Sequence, residues 1–145
     1  MEKNNIKKYL FISIKPEFAN KILNKEKCIE LRKIKPHVSS GDYIIIYASS
    51  PQKSVIGFGE IKRIIEMTPD KMWKEYQSML GIDELRYQSY YKDKKKAIGI
   101  EIGAIKAISP ISLYDLRKID IKFHPPQIYR YVTNQQICKI ISEYM

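Results

Sequence analysis

Cysteine is scarce: Cys28 and Cys138 are the only two in 145 residues. Two thiols build neither a disulfide framework nor a zinc site, so both read as small buried hydrophobes or spare thiols. Histidine is equally scarce. His37 and His124 lie far apart in sequence with no neighbouring ligand set, so no metal and no cofactor is expected. Six Gly and seven Pro leave no collagen-like or low-complexity tract, no Gly-rich phosphate loop and no linker. No window approaches the roughly 18 uninterrupted apolar residues of a membrane span. The opening MEKNNIKKYLFISIKP returns to charge at Lys15 before a signal-peptide core can form. The expected address is the cytoplasm.

What is present is a core and a charge. Hydrophobic residues make up 44% and charged residues 29%, which at this length predicts one domain spanning 1–145. The formal net charge is +10. An AT-rich genome or a hot habitat would impose 26 Ile and 21 Lys against 5 Arg on any protein, so the total is discounted. Its distribution says more. Residues 1–35 hold ten Lys/Arg against four Glu, an end-loading that a uniform bias would not give. A basic end points to a polyanionic partner such as nucleic acid, with RNA and DNA not distinguished by charge, or an anionic membrane surface.

Residues Tyr9 to Ile14 read as a strand, and Pro16 opens a short helix whose face carries Phe18, Ala19, Ile22 and Leu23. The period-two segment CIELRK is a second strand and YIIIYA a buried third, ahead of a Ser49-Ser50-Pro51-Gln52 loop. Residues 54–66 form a long strand with Gly57 and Gly59 on one face, which lets a neighbouring backbone or ligand come close or lets the sheet bend sharply. Thr68 and Asp83 cap two helices across 69–92, whose stripe of Met72, Trp73, Tyr76, Met79 and Leu80 packs on the sheet. The run KDKKK at 92–96 reads as solvated. Residues 97–108 form a strand whose apolar phase shifts near Gly103, the signature of a bulge. A helix over Ser112 to Lys118, an extended HPPQIYRYV stretch and a last helix capped by Thr133, with Ile137, Ile140 and Ile141 inward, complete the chain. Bent strands without regular βαβ alternation give an α+β fold: a small mixed-sheet barrel decorated by four or five helices.

The densest polar cluster is Lys15, Lys21, Lys25, Lys27, Glu30, Arg32, Lys33 and Lys35. Glu30 and Arg32 share one strand face. A carboxylate beside a guanidinium orients it and leaves donors for a phosphate or a base edge. A surface ion pair of little energetic consequence would show the same spacing.

The segment NKEKCIELRK resembles the GxKxxExR signature of the ASCH domains, a branch of the PUA-like superfamily, with Lys27, Glu30 and Arg32 at its Lys, Glu and Arg. The SIKP strand end, the PEFANKILN helix and GDYIIIYASSP…VIGFGEI extend the resemblance from about Leu10 to Ile64. Lys25 stands where the signature has glycine, so either a lysine takes a positive φ there at a cost or the turn is rearranged. The resemblance implies a PUA-like β-barrel with a cleft for RNA or a modified nucleotide, lined by Lys27, Glu30 and Arg32 with Lys15 on the rim.

Such a cleft needs an aromatic wall and polar loop groups. Tyr47, Ser49, Ser50, Tyr129 and Arg130 supply candidates, and eleven tyrosines favour stacking. A hydrolase acting on a nucleoside or RNA is the alternative. Some relatives look like acetylcytidine amidohydrolases using Lys, Thr and Glu; here Glu30 stands at the Thr position, so the hydroxyl is missing. Others are proposed ribonucleases. Lys27 with Glu101 or Glu60 would then carry the proton transfers, although a carboxylate paired with a lysine is the plainer role for either Glu. A third reading is a ligand-sensing regulatory module touching a protein through the 69–92 helices.

Overall fold

Alternation of side chains along two largely apolar strands organises the molecule. A computed structural model describes residues 7–119, 123–125, 127–132 and 135. Strand β1 (Tyr9–Ile14) runs parallel to β3 (Tyr43–Ala48), in register from Tyr9 opposite Tyr43 to Ile14 opposite Ala48. Successive residues point to opposite faces of a strand. Leu10, Ile12, Ile14, Ile44 and Ile46 therefore enter one core, while Phe11, Ile45 and Tyr47 enter another. Both faces are covered, which is why these strands carry continuous apolar runs.

The full sheet has six strands in the order β2-β5-β4-β3-β1-β6. Here β2 is Ile29–Arg32, β4 Ser54–Met67, β5 Ala97–Ser112 and β6 Tyr129–Tyr131, and every pairing except β1 with β3 is antiparallel. The long partners β4 and β5 slip register three times. Ala104, beside Gly103, has φ +48°, so the bulge expected from the phase shift is there. Bulges curl the pair into an open half-barrel. Strand β5 runs past Pro110, beyond the expected end at 108. Proline is tolerated because β2 flanks β5 only along residues 98–101, leaving the later stretch open on that side.

Helix α1 (Pro16–Leu23) lies on the first core through Ala19 and Ile22. A Cβ on Gly57 would stand 2.6 Å from Leu23 Cδ2, so that glycine is where the helix meets the sheet. Helices α2 (Pro69–Tyr76) and α3 (Glu84–Tyr90), joined through a 3-10 turn at Gln77–Met79, cover the far end of the sheet. Thr68 and Asp83 cap them as their spacing predicts, accepting from the amides of Lys71 and Arg86. Met72, Leu80, Tyr87 and Tyr91 are buried there with Ile29, Leu31 and Ile65. The stripe on 69–92 is thus a packing surface. Helix α4 (Leu113–Ile119) seats Leu116 in the second core. The helix expected after Thr133, and Cys138, lie outside the described residues. No described helix is long and apolar enough to cross a membrane.

Candidate functional site

Helix α1 ends in a turn that delivers Lys27 inward. Its C-cap is Asn24, and Lys25 follows with φ +64°. The amide of Glu26 bonds to Lys21 O at 2.9 Å and that of Lys25 to Ile22 O at 3.1 Å. This pair of bonds is a Schellman closure, normally built on glycine. The lysine at the signature's glycine position does adopt the left-handed conformation. The chain then reverses, Cys28 N bonds to Met79 O at 2.9 Å, and β2 begins.

A cavity of about 390 Å³ opens where α1, β2 and the end of β1 converge. Ser13, Ile14 and Lys15 from the end of β1 line it, with Glu30, Leu31 and Arg32 from β2. Lys27 reaches in from the turn, and Ser49 closes the end of β3. Phe18, Ile82 and Tyr90 supply apolar surface, with Gln127 at the edge.

The charged groups form one connected set. Glu30 Oε2 accepts from Arg32 Nη2 at 2.6 Å, and the same nitrogen donates to Ser13 O at 3.2 Å. Glu30 Oε1 lies 3.7 Å from Lys27 Nζ, which donates to Leu80 O at 2.7 Å. Lys27 is 3% exposed and Glu30 7%, so this is an interior ionic cluster rather than a surface pair. Burial holds the Lys27 pKa below its ordinary value, opposed by the Glu30 charge and assisted by Arg32. Arg32 Nε is buried without a hydrogen-bond partner among the described residues. Interior ion clusters are poor stabilisers compared with apolar packing. Beside an open cavity, such a cluster offers carboxylate acceptors and cationic donors together.

Aromatic faces meet the same space. The Phe18 ring has Lys27 Nζ at 5.4 Å and the Arg86 guanidinium at 5.3 Å from its centroid. Arg86 also grips Glu17 with two bonds, at 2.9 and 2.8 Å, pinning α3 to α1. Tyr90 donates to Leu31 O at 3.3 Å, and burial raises its pKa.

Of the residues singled out from sequence, Lys15, Lys27, Glu30, Arg32 and Ser49 line the cavity. Tyr47 does not: strand alternation sends it into the second core, 2% exposed, with its ring 6.0 Å from Phe11. Arg130 belongs to the same opposite face, its guanidinium 4.7 Å from the Phe123 ring centroid. Tyr129 packs on the first core, near enough to Arg32 for that charge to act on its hydroxyl, but does not line the cavity. Ser50 is exposed beyond the cavity. Glu60 is solvent-exposed on β4. Glu101 is held by Arg63 Nε at 2.6 Å and Lys62 Nζ at 3.7 Å, a paired carboxylate away from Lys27. His37 lines a separate surface hollow and His124 is exposed. No group of three or more potential metal ligands occurs among the described residues. Phe18 and Tyr90 are the wall that sequence reasoning missed. Helical spacing gave Phe18 to the core face, and a residue at the margin of such a face can serve both core and cavity.

A family model described as a domain of unknown function (DUF365) matches residues 10–120. A relative from Zymomonas mobilis, described as an ASCH domain-containing ribonuclease, is 32% identical over 136 residues, 94% of this chain and 92% of that protein. The crystal structure of ASCH from Zymomonas mobilis matches with a TM-score of 0.86 at 31% identity, covering 92% of this chain and 94% of the other. The N-terminal domain of Staphylothermus marinus McrB shares the fold at 15% identity, with a TM-score of 0.61 over 98% of each chain.

Proposed function

Because this chain belongs to the DUF365 family and is an ASCH domain of the PUA-like superfamily, we propose that it binds single-stranded RNA, holding one nucleotide in the cavity. The observation carrying this reading is the convergence of Lys27, Glu30 and Arg32 on one open hollow beside two aromatic side chains. Single-stranded RNA offers splayed bases that stack on aromatic faces and expose their edges to hydrogen bonding. Glu30 supplies acceptors, Arg32 and Lys27 supply donors, and Phe18 and Tyr90 supply faces. Lys15, exposed on the rim, answers a phosphate.

The test is RNA affinity with Arg32→Ala. Losing a charged hydrogen-bonding group predicts about a 10- to 100-fold weaker Kd, with an unchanged circular dichroism spectrum. Wild-type affinity should also fall as salt rises, because phosphate contacts release counterions. Equal affinity of the two proteins at low salt would remove the cavity from the account.

Cleavage of RNA is a second reading, favoured by the relative described as a ribonuclease. Of Lys27, Glu60 and Glu101, only Lys27 lines the cavity, and its lowered pKa suits a proton-transfer role. Fragments produced from a labelled RNA by wild type and lost with Lys27→Met would establish turnover. Stable binding of an intact strand would establish a binding domain.

A further inference from the structure

The cavity has a continuation. Strand β2 leaves Arg32 as Lys33-Ile34-Lys35, and α3 leaves Tyr90 as Tyr91 and the run Lys92-Asp93-Lys94-Lys95-Lys96. Three contacts bring these segments together. Lys33 Nζ stands 4.5 Å from the centroid of the Tyr90 ring, a wall of the cavity. Tyr91 donates to Arg32 O at 2.8 Å. Lys35 and Lys96 both reach Glu66, at 3.9 and 3.1 Å. The 92–96 loop is also shaped rather than slack: Lys94 N bonds to Tyr91 O at 2.9 Å, and Asp93 turns the chain at φ +61°. All six lysines are exposed. Asp93, Glu66 and Asp70 stand near them, Asp70 lining the same surface hollow as Lys92, Lys94 and Lys95, and none of Lys33, Lys92, Lys94 and Lys95 is in an ion pair among the described residues.

We propose that this lysine strip, running from Tyr90 and Lys33 to the 92–96 loop, is a second contact surface that tracks the phosphate backbone of an RNA strand whose leading nucleotide sits in the cavity. The inference rests on the RNA-binding reading of the cavity and adds a second contact surface outside it, which holds the strand beyond the first nucleotide. Aromatic surface followed by a row of free cations is how sequence-tolerant single-strand binders are built. A mononucleotide would leave four unpaired lysines with nothing to answer. A strand leaving past Tyr90 meets them in succession.

The experiment compares, by fluorescence anisotropy, a mononucleotide and an unstructured RNA of about eight nucleotides. The probes are tested on wild type, on Arg32→Ala and on the combined Lys92→Ala, Lys94→Ala, Lys95→Ala variant. These lysines are exposed and their loss leaves the fold intact. The octamer should bind wild type about tenfold tighter or more than the mononucleotide. The triple variant should lose that advantage. Its slope of log affinity against log salt should become shallower by about 2, three phosphates at about 0.7 each, with mononucleotide binding unchanged. Octamer affinity and slope untouched by the triple variant would overturn the strip, whatever the cavity does. Lysine-dependent binding to phosphatidylserine vesicles with no lysine effect on RNA would overturn it equally. Octamer binding that survives Arg32→Ala but falls in the triple variant would sink the cavity reading and support the strip.

Discussion

Gly81 and Lys27 occupy space that a single extra carbon would contest. A Cβ on Gly81 would stand 2.6 Å from Lys27 Cβ and 3.0 Å from its Cγ, at a backbone φ of +63°. The stem of Lys27 thus runs against the bare backbone of the turn before α3, and its ammonium ends on the carbonyl of Leu80. Lys21 Nζ donates to the Gly81 carbonyl at 3.1 Å, closing the same turn from α1. Gly81→Ala combines a left-handed strain of about 1–2 kcal/mol with a clash against a buried side chain. Urea denaturation should show at least that loss. Nucleotide affinity should fall as well, because Lys27 is displaced from Glu30. A variant as stable as wild type would mean the turn yields without strain.

Burial of Lys27 gives the fold a pH dependence of known sign. Its pKa in the folded protein lies below the ordinary 10.5, chiefly because burial disfavours the ammonium. Between the lowered value and 10.5 the unfolded chain binds more protons than the folded one. Stability therefore rises with pH across that window, and is flat beyond either end. Lys27→Met keeps the stem and removes the titration. The stability of wild type minus that of the variant, measured in urea from pH 7 to about pH 10.5, should increase with pH. Parallel curves would show that Lys27 titrates as an exposed lysine does.

Which parts of this were legible in advance follows from the range of the forces involved. Strands β1 and β3, the caps Thr68 and Asp83 and the bulge near Gly103 are local: alternation, a side-chain oxygen and a phase shift write them directly into the sequence. Lys27, Glu30 and Arg32 were legible as a motif, and their spacing on one turn and one strand brings them to one wall. The opposite walls were not. Whether Tyr47 or Tyr90 faces the cavity depends on which side of a curled sheet each helix covers. Both faces of β3 are buried, so its sequence carries no mark of side. Glu101 shows the same limit: a buried strand carboxylate near glycines fits a proton-transfer group until Arg63, 38 residues away, is seen holding it.

Lys25 is the one position where the signature's own residue should improve this protein. It closes α1 with φ +64°, a conformation in which the Cβ of any L-residue crowds the following carbonyl. Its side chain is exposed and makes no ion pair among the described residues. Lys25→Gly should raise stability by up to about 1 kcal/mol, the left-handed strain relieved less the added flexibility of the unfolded chain. Thermal denaturation would read this as an upward shift in Tm of a few degrees. RNA affinity should be unchanged, since the turn already directs Lys27 as the glycine would. A lower Tm would mean that the entropy of the glycine outweighs the strain.

Stacking in the cavity can be separated from charge at Tyr90. Tyr90 lines the cavity and its ring carries Lys33, while its hydroxyl reaches Leu31 O only at 3.3 Å, a long bond. Tyr90→Phe retains the face and loses the hydroxyl, so RNA affinity should stay within about twofold of wild type, the hydroxyl bond contributing no more than a few tenths of a kcal/mol. Tyr90→Ala removes the face. Loss of one stacked base predicts about 1–3 kcal/mol, roughly 5- to 150-fold in Kd. The salt dependence should stay the same, because no phosphate contact is lost. That combination, weaker binding on an unaltered salt slope, is what an aromatic wall produces and a lysine substitution does not. Equal losses in the Phe and Ala variants would instead assign the role to the hydroxyl and its hold on β2.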